Sequence, residues 1–360
     1  MEEQRQDFVT LARQPGVNIS ELCRRFQISR KTAYKWLKRD DVQERSRRPH
    51  HSPSRTTPQL EAQVLAVRDR HQAWGGRKIA HVLERDHGIT LAPSTVTSVL
   101  HRHGRISAQA SQAATPWQRF EHAEPNALWQ MDFKGHFATA TARCHPLTVL
   151  DDHSRFNVVL HALNDQRRAS VQPVLQRAFE RFGLPDRINT DNGSPWGTAG
   201  QGGLTGLAVW LIRLGVKLSY SRPLHPQTNG KDERFHRTLK AEVLSVNTFA
   251  SVAHAQSQFA RWRYIYNHER PHQALEMHTP ASRYRCSART IPAQLPPIEY
   301  LEDDLVRRVQ AGGWFSLYGR EIRTSKALRG QPVACRPLAD RDGHFALYFC
   351  HQKVDEFSIE

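Results

Sequence analysis

The chain has 360 residues, more than one compact domain usually holds, so its length predicts two or three domains. Its 51 Lys and Arg residues exceed its 35 Asp and Glu residues, and the net charge of +16 predicts a polyanionic partner, nucleic acid ahead of an acidic membrane surface. The five cysteines form no CxxC pair, which argues against a structural zinc site, and no apolar run approaches the ~20 residues that span a bilayer. Because the polar N-terminal residues also do not resemble a signal peptide, we expect a cytoplasmic protein with reduced thiols and no membrane contact.

Residues 1–43 are predicted to form a helix-turn-helix DNA-binding domain of three short helices. Asn18 or Ser20 caps the second helix, and Ser29 caps the third, in the segment SRKTAYKWLKR. A charged helix in a small bundle is the alternative, but the short turn between two capped helices favours the DNA-binding interpretation. Four basic side chains of the third helix are expected to face outward and contact DNA: Arg30, Lys31, Lys35 and Lys38.

Residues 44–58 are basic and rich in Pro and Ser, so we expect a flexible linker whose Arg47 and Arg48 contact DNA phosphates. A second helical domain is predicted over residues 59–104. A Gly break and a helix capped by Ser94 make it resemble another helix-turn-helix, although its last helix has few basic groups and a plain helical spacer is the alternative.

Residues 116–285 are predicted to form an α/β domain. Three strands come first, in LWQMDFKGHF, HPLTVLDD and FNVVLHAL, with a turn at Asp152-His153-Ser154 between the last two. A helix over about 167–182, the strand RINTD, a Gly-rich loop, the helix GLAVWLIRLG, the strand KLSYS and a helix over about 229–245 follow. Three strands and then alternating helix and strand is the order of an RNase H-like core with a mixed sheet.

The remainder of the chain is predicted to be a linker and a small β-domain. Residues 286–299 are rich in Pro, as linkers often are. Residues 300–360 alternate like short strands between Gly turns, and a small β-barrel fits this pattern.

Acidic residues in the α/β domain are candidates for metal binding. Asp132 lies within the apolar strand LWQMDF, where a carboxylate is costly to bury without a cation. Asp191 follows the strand RINT and precedes Asn-Gly, so it is expected at a strand end that faces a cleft. By itself Asp191 is weak evidence, because an ordinary turn aspartate fits the same pattern, and Asp132 in its strand strengthens the interpretation as a metal ligand. Clustered carboxylates of this kind can hold two hard divalent ions that cut or join a phosphodiester.

The third acid is either Asp232 or Glu233, at the start of the helix that TNG opens. Residues three, four and seven positions after Glu233 are His236, Arg237 and Lys240, a basic stripe on one face. Asp232 instead shares its spacing with apolar residues, so we expect it to lean toward the core and Glu233 to face phosphate.

Several local patterns resemble the integrase-core DDE transposases of bacterial insertion sequences, relatives of the retroviral integrases. The matching blocks are WQMDF, DDHSR, TDNG, HPQTNGKDERFHRTLK and YNHERPHQALEMHTP, which occur in that family's order over residues 116–285. The resemblance implies catalytic and metal-binding roles for Asp132, Asp191 and Glu233, with two Mg²⁺ ions that Mn²⁺ can replace. It places the family's basic residue on Lys240.

The resemblance implies a DNA transposase that binds the terminal repeats of its element, exposes 3′-hydroxyls and joins them to target DNA. We expect double-stranded DNA as partner, a homo-oligomer of at least two protomers, and association with the bacterial nucleoid. Further DNA contacts are predicted at His225, Lys231, Arg237 and Lys240, although His225 equally fits a buried residue that holds its loop. The alternatives are a sequence-specific DNA-binding regulator with an inactive core, and an RNase H-class nuclease.

Overall fold

A computed structural model of the protein shows two compact units, residues 1–57 and residues 58–360. The structure describes residues 2–39, 43, 55–106, 121–197, 203–221 and 230–359. Most of the predicted basic linker, including Arg47 and Arg48, therefore lies outside the described residues. None of the helices in the described ranges is long and apolar enough to cross a bilayer.

The first unit contains the three predicted helices, α1 (Glu2–Ala12), α2 (Ile19–Arg25) and α3 (Arg30–Leu37). The side chain of Asn18 accepts hydrogen bonds from the first turn of α2, and Ser29 does the same for α3. Phe8 of α1 is fully buried and meets the rings of Phe26 and Trp36 edge to face. The predicted caps and the three-helix arrangement are confirmed.

The second unit begins with three more helices, α4 (Pro58–Arg70), α5 (Gly76–His87) and α6 (Pro93–Arg102). The predicted cap at Ser94 is wrong. Ala92 occupies the cap position without a side-chain bond, and Pro93 begins α6, where its fixed φ suits the first helical turn. Helices α5 and α6 pack closely at Gly76, where an added Cβ would come within 2.6 Å of the Pro93 carbonyl oxygen.

A six-stranded mixed sheet forms the middle of the second unit. Its strands are β1 (Trp129–Phe133), β2 (Phe137–Ala138), β3 (Arg143–Asp151), β4 (Asn157–Leu163), β5 (Arg187–Thr190) and β6 (Lys217–Tyr220). They run in the order β2-β3-β1-β5-β6, with β4 paired to β3. The pairs β1–β3 and β3–β4 are antiparallel, whereas β1–β5 and β5–β6 are parallel. The predicted succession of strands and helices along the chain and the mixed sheet of an RNase H-like core are confirmed.

Helices cover both faces of this sheet, because successive strand residues point to opposite sides. Trp129, Met131 and Val149 pack on one face in the apolar cluster that includes α7 (Arg168–Phe182) and α8 (Gly206–Arg213). Leu150 and Leu160 pack on the other face with α9 (Gly230–Leu239) and α10 (Val252–Tyr264). The second face carries the polar residues Gln130, Asp132 and Thr148, so the functional residues lie between the sheet and α9.

Residues 286–299 contain no helix or strand, and Arg289 within them bonds to the carbonyl oxygens of Pro185 and Gly215. The segment therefore lies along the core sheet. The division of residues 58–360 into a second helical domain, a core and a C-terminal domain stays a prediction.

The C-terminal strands form an antiparallel sheet in the order β12-β11-β10-β7 and a separate hairpin of β8 and β9. Their bounds are β7 (Leu305–Arg308), β8 (Trp314–Leu317), β9 (Arg320–Arg323), β10 (Pro332–Leu338), β11 (Arg341–Phe349) and β12 (Gln352–Ser358). The predicted C-terminal strands are confirmed, whereas the predicted closure into a barrel is not, since the pairings of the described strands form an open sheet. The Gln352 side chain bonds to both the N–H and the carbonyl oxygen of Leu218, at 2.9 Å each, and so covers the edge strand β6.

A buried ion pair links the segment after α9 to the segment after α10. Glu242 accepts hydrogen bonds from Arg270 Nε and Trp262 Nε1, each at 2.9 Å, and the Glu242 and Arg270 side chains are each 9% exposed. Removing one partner of a buried pair leaves the other charge unpaired, which is more costly than losing a surface pair.

Glu242→Ala is expected to destabilise the second unit by about 3–5 kcal/mol, because Arg270 then stays buried without its carboxylate. Unfolding in denaturant, followed by tryptophan fluorescence, measures the change. The matched control is Glu124→Ala, which removes the partner of Arg285 in a pair exposed by about 70% and should cost under about 1 kcal/mol. Equal effects from the two substitutions would contradict the structural role of the Glu242–Arg270 pair.

Candidate active site

Asp132 and Asp191 are brought together by the parallel pairing of β1 and β5. Trp129 pairs with Ile188 and Gln130 with Asn189, so continuing the register by two residues sets Asp132 beside Asp191. Side chains at matched positions of neighbouring parallel strands point to the same face, about 4.8 Å apart in strand spacing. Two acids separated by 58 intervening positions in the sequence are therefore brought near each other at this edge of the β1–β5 pair, close enough for the Asp191 carboxylate to raise the pKa of Asp132.

The carboxylate of Asp132 is largely buried, with its side chain 30% exposed. Its Oδ1 accepts a hydrogen bond from the Phe133 N–H at 2.7 Å. The pKa of Asp132 is raised to about 6, chiefly by burial, while the Phe133 hydrogen bond lowers it and the nearby carboxylates of Asp191 and Glu233 raise it. The three predicted acids therefore share one electrostatic environment.

Asp191 begins a tight turn directly after β5. Its Oδ1 accepts a hydrogen bond from the Gly193 N–H at 3.1 Å, and Asn192 Nδ2 donates to the Ser221 carbonyl oxygen at 3.2 Å. A Cβ at position 193 would lie 3.2 Å from Asp191 Oδ2, so glycine there keeps this side of the carboxylate open.

Helix α9 carries the third predicted acid, and its burial separates the two alternatives. Asp232 is 1% exposed and faces the sheet, while Glu233 is exposed. The prediction that Asp232 leans toward the core and Glu233 away from it is confirmed. The start of α9 is held in place by Lys231, which forms an ion pair at 2.5 Å with the buried Asp152. Asp152 also accepts a hydrogen bond from Gln130 Nε2 on β1 at 2.9 Å.

A buried polar cluster of Asp132, Thr148, Asp232 and His236 joins β1, β3 and α9, and we call it the α9 cluster. Thr148 Oγ1 lies 2.8 Å from His236 Nε2, 2.9 Å from the Asp132 carbonyl oxygen and 3.4 Å from Asp232 Oδ1. Burial raises the pKa of Asp232 well above its ordinary value, as does the carboxylate of Asp132, and burial lowers the pKa of His236 to about 3. His236 is therefore a neutral imidazole at neutral pH.

Sequence reasoning missed the α9 cluster and assigned His236 to the basic stripe of Glu233. That assignment is wrong, since His236 is 8% exposed and bonded to Thr148. The signal was present in the spacing. Asp232 and His236 are four residues apart, as residues on one helix face are, and Asp232 had already been placed toward the core.

The predicted DNA-contact residues have different surroundings. Six are exposed, four on or just after α3 and two in or just after α9: Arg30, Lys31, Lys35, Lys38, Arg237 and Lys240. Lys231 is mostly buried against Asp152, and His225 lies outside the described residues. The DNA contacts of all of them stay predictions.

The donor set suits divalent cations. Asp132, Asp191 and Glu233 offer carboxylate oxygens, the ligand type that Mg²⁺ takes in proteins. Asp132, Asp232 and His236 each place one ligand atom within 4.8 Å of the others. Two buried carboxylates close together are unfavourable without a positive partner, which is a second reason to expect a cation here.

Family models match most of the chain. Models of the integrase core domain match residues 122–226 and 214–280, homeodomain-like models match residues 2–41 and 32–100, and a model of the IS481 family transposase C-terminal domain matches residues 304–357. The order of the matches follows the order of the two helical segments, the sheet and the C-terminal strands.

Two similar proteins come from bacterial insertion elements. An uncharacterized 31.7 kDa protein of insertion element IS407 from Burkholderia multivorans is 27% identical over 248 residues, which cover 66% of this chain and 85% of that protein. An uncharacterized 39.2 kDa protein of IS476 from Xanthomonas euvesicatoria is 26% identical over 237 residues, or 64% of this chain and 65% of that protein. A chain of the simian T-cell lymphotropic virus intasome is similar at 17% identity and a TM-score of 0.37, covering 77% of this chain and 93% of that one.

Asp132→Asn is expected to stabilise the metal-free protein at pH 7. When the pKa of a carboxyl is higher in the folded protein than in the unfolded one, the free energy of unfolding decreases as the carboxyl ionises. For Asp132 this decrease occurs as the pH rises from about 4 to about 6. Above that window the penalty is on the order of 2–3 kcal/mol, and the amide removes it. Melting temperatures in chelator should therefore be higher for the variant at pH 7 and similar at pH 4. A variant that is no more stable than the unmodified protein at pH 7 would refute the electrostatic strain at Asp132.

Proposed function

The chain belongs to the insertion-sequence transposases that carry an integrase core, and from that membership we propose that it cleaves the ends of its element and joins them to target DNA. The observation that supports this most is the parallel pairing of β1 and β5, which carries Asp132 on β1 and Asp191 directly after β5, with Glu233 on the adjoining helix. Three carboxylates in one electrostatic environment are what a phosphoryl-transfer site with divalent ions requires.

We propose that Asp132, Asp191 and Glu233 hold two Mg²⁺ ions, which Mn²⁺ can replace. When bound, such ions stabilise the attacking and leaving oxygens of a phosphodiester. The protein contributes the placement of the ligands. The β1–β5 register aligns the two aspartates, the Asp191 turn keeps one side of its carboxylate open, and the Lys231–Asp152 pair anchors the start of α9.

DNA recognition is proposed to reside in the N-terminal unit. Helix α3 exposes Arg30, Lys31 and Lys35 while Ala33 packs inward, the arrangement of a recognition helix that enters a major groove. Arg237 and Lys240, exposed on and just after α9, are proposed to contact the phosphates of the DNA end near the acids. Two element ends must be processed together, so we propose a complex of at least two protomers on double-stranded DNA.

Amide substitution of each acid tests the catalytic proposal. Asp132→Asn, Asp191→Asn and Glu233→Gln are each expected to lower Mg²⁺-dependent end cleavage and strand joining by at least about 10²-fold, because metal stabilisation of the transition state is worth several kcal/mol. Mapping of nicked 3′ ends on terminal-repeat DNA provides the measurement, and binding to that DNA should stay near normal.

The matched control is Glu180→Gln, on the exposed side of α7 across the sheet. It should leave cleavage unchanged. Strand joining that persists in any of the three amide variants would remove that residue from the proposed site. A protein that binds end DNA but never nicks it with Mg²⁺ or Mn²⁺ would instead be a DNA-binding regulator.

Substitutions on α3 test the recognition proposal. Arg30→Ala and Lys35→Ala are expected to reduce the preference for terminal-repeat DNA over unrelated DNA, at about 1–3 kcal/mol per base contact. Competition binding at fixed salt measures that preference. A uniform loss of affinity on every sequence would show that these side chains contact phosphates only.

A further inference from the structure

The α9 cluster contains a buried carboxylate oxygen that the proposed catalytic triad does not use. Among the described residues, Asp232 Oδ2 has no hydrogen-bond partner, and the whole residue is 1% exposed. Within the described ranges Asp232 forms no ion pair with a lysine or arginine, and the neutral His236 places its Nε2 3.7 Å from Asp232 Oδ1. A buried carboxylate oxygen without a donor is costly, so this oxygen is suited to a ligand that the protein itself does not supply.

The hydrogen bonds of Thr148 indicate which ring nitrogen of His236 carries the proton and which has an available lone pair. The Thr148 hydroxyl has one proton and lies close to both the Asp132 carbonyl oxygen and His236 Nε2. A carbonyl oxygen can only accept, so the hydroxyl donates to it and His236 Nε2–H donates to Thr148 Oγ1. This tautomer leaves the lone pair of His236 Nδ1 without a proton, 4.0 Å from Asp132 Oδ2.

An unprotonated ring nitrogen and a carboxylate oxygen 4.0 Å apart have the separation of two ligands that bind one ion. Bonds from a divalent metal to imidazole nitrogen and to carboxylate oxygen are each about 2.0–2.2 Å long, so a cation bridges this gap with little movement of the side chains. The two carboxylates also balance the charge of a divalent ion, which makes the filled cluster neutral as a buried site requires.

We propose that Asp132, Asp232 and His236 form a binding site for a divalent transition-metal ion of the Mn²⁺, Co²⁺ and Zn²⁺ class. The imidazole ligand selects these ions over Mg²⁺, which prefers oxygen ligands alone. The inference rests on the proposed function in one respect, since Asp132 is shared with the catalytic triad. Asp232 and His236 lie outside that triad, so the nitrogen ligand is its distinguishing mark.

Mn²⁺ binding to the full-length protein, followed by pulsed electron paramagnetic resonance, tests the proposal directly. Bound Mn²⁺ should show nuclear modulation from a directly coordinated histidine nitrogen. His236→Gln should remove this modulation, and both His236→Gln and Asp232→Asn should weaken Mn²⁺ binding by at least about tenfold, the lower range seen when even an outer partner of a metal ligand is lost. Asp232→Asn keeps the side-chain shape and gives a second result if His236→Gln does not fold.

The matched control is His161→Gln. His161 on β4 pairs with Leu147 on β3, and Leu147 packs on the face of the sheet away from α9, so His161 lies on that face too. This variant should retain the nitrogen modulation and the Mn²⁺ affinity. Absence of nitrogen modulation in the unmodified protein would overturn the proposal, as would unchanged Mn²⁺ affinity in both folded α9 variants. The latter result would mean that Asp232 is a neutral buried acid without a metal role.

Variants of the other two acids separate this proposal from the catalytic one. Asp191→Asn and Glu233→Gln should retain the nitrogen modulation even though they lose strand joining in Mg²⁺. Loss of the modulation in both would overturn the separate site. Retained strand joining in these variants, with the modulation intact, would overturn the catalytic triad and leave the α9 cluster site standing.

Discussion

The placement of negative charge inside a mixed sheet is the constraint on which the rest of this structure depends. Asp132 lies on β1 between an antiparallel neighbour and a parallel one, and burial together with other acids raises its pKa to about 6. Stability alone would favour an apolar residue at this buried position, like the buried Trp129 and Met131 on the same strand. The cost is tolerated because packing on both faces of the sheet holds the strand firmly.

Several separate devices keep the acids in position. The parallel register fixes Asp132 relative to Asp191, and the ion pair of Lys231 with Asp152 fixes α9 relative to β1. The Glu242–Arg270 pair joins the segments that follow α9 and α10. Polar groups therefore set the geometry, while the apolar clusters on the two faces supply most of the free energy of folding.

The sequence predicted those parts of the site that depend on local pattern. An acid inside an apolar strand, an acid before a turn and the helical spacing around Glu233 each follow from neighbouring residues, and the mixed sheet followed from the succession of elements. The α9 cluster depends instead on contacts between Thr148 and His236, 88 positions apart, which no local pattern reveals. The sequence also did not predict that the C-terminal sheet is open, because alternating strands fit a barrel and an open sheet equally well. The prediction of a cap at Ser94 was wrong because the helix begins at Pro93, with Ala92 at the cap position, two residues before Ser94.

A crystal structure with Mn²⁺ bound, examined by anomalous diffraction, tests the central claim that Asp132 is the shared ligand of this protein's metal chemistry. The account predicts anomalous density in contact with the Asp132 carboxylate, on the face of the sheet that α9 covers, with Asp191 on one side and Glu233, Asp232 and His236 on the other. Mn²⁺ bound at saturating concentration only at positions away from Asp132 would contradict it.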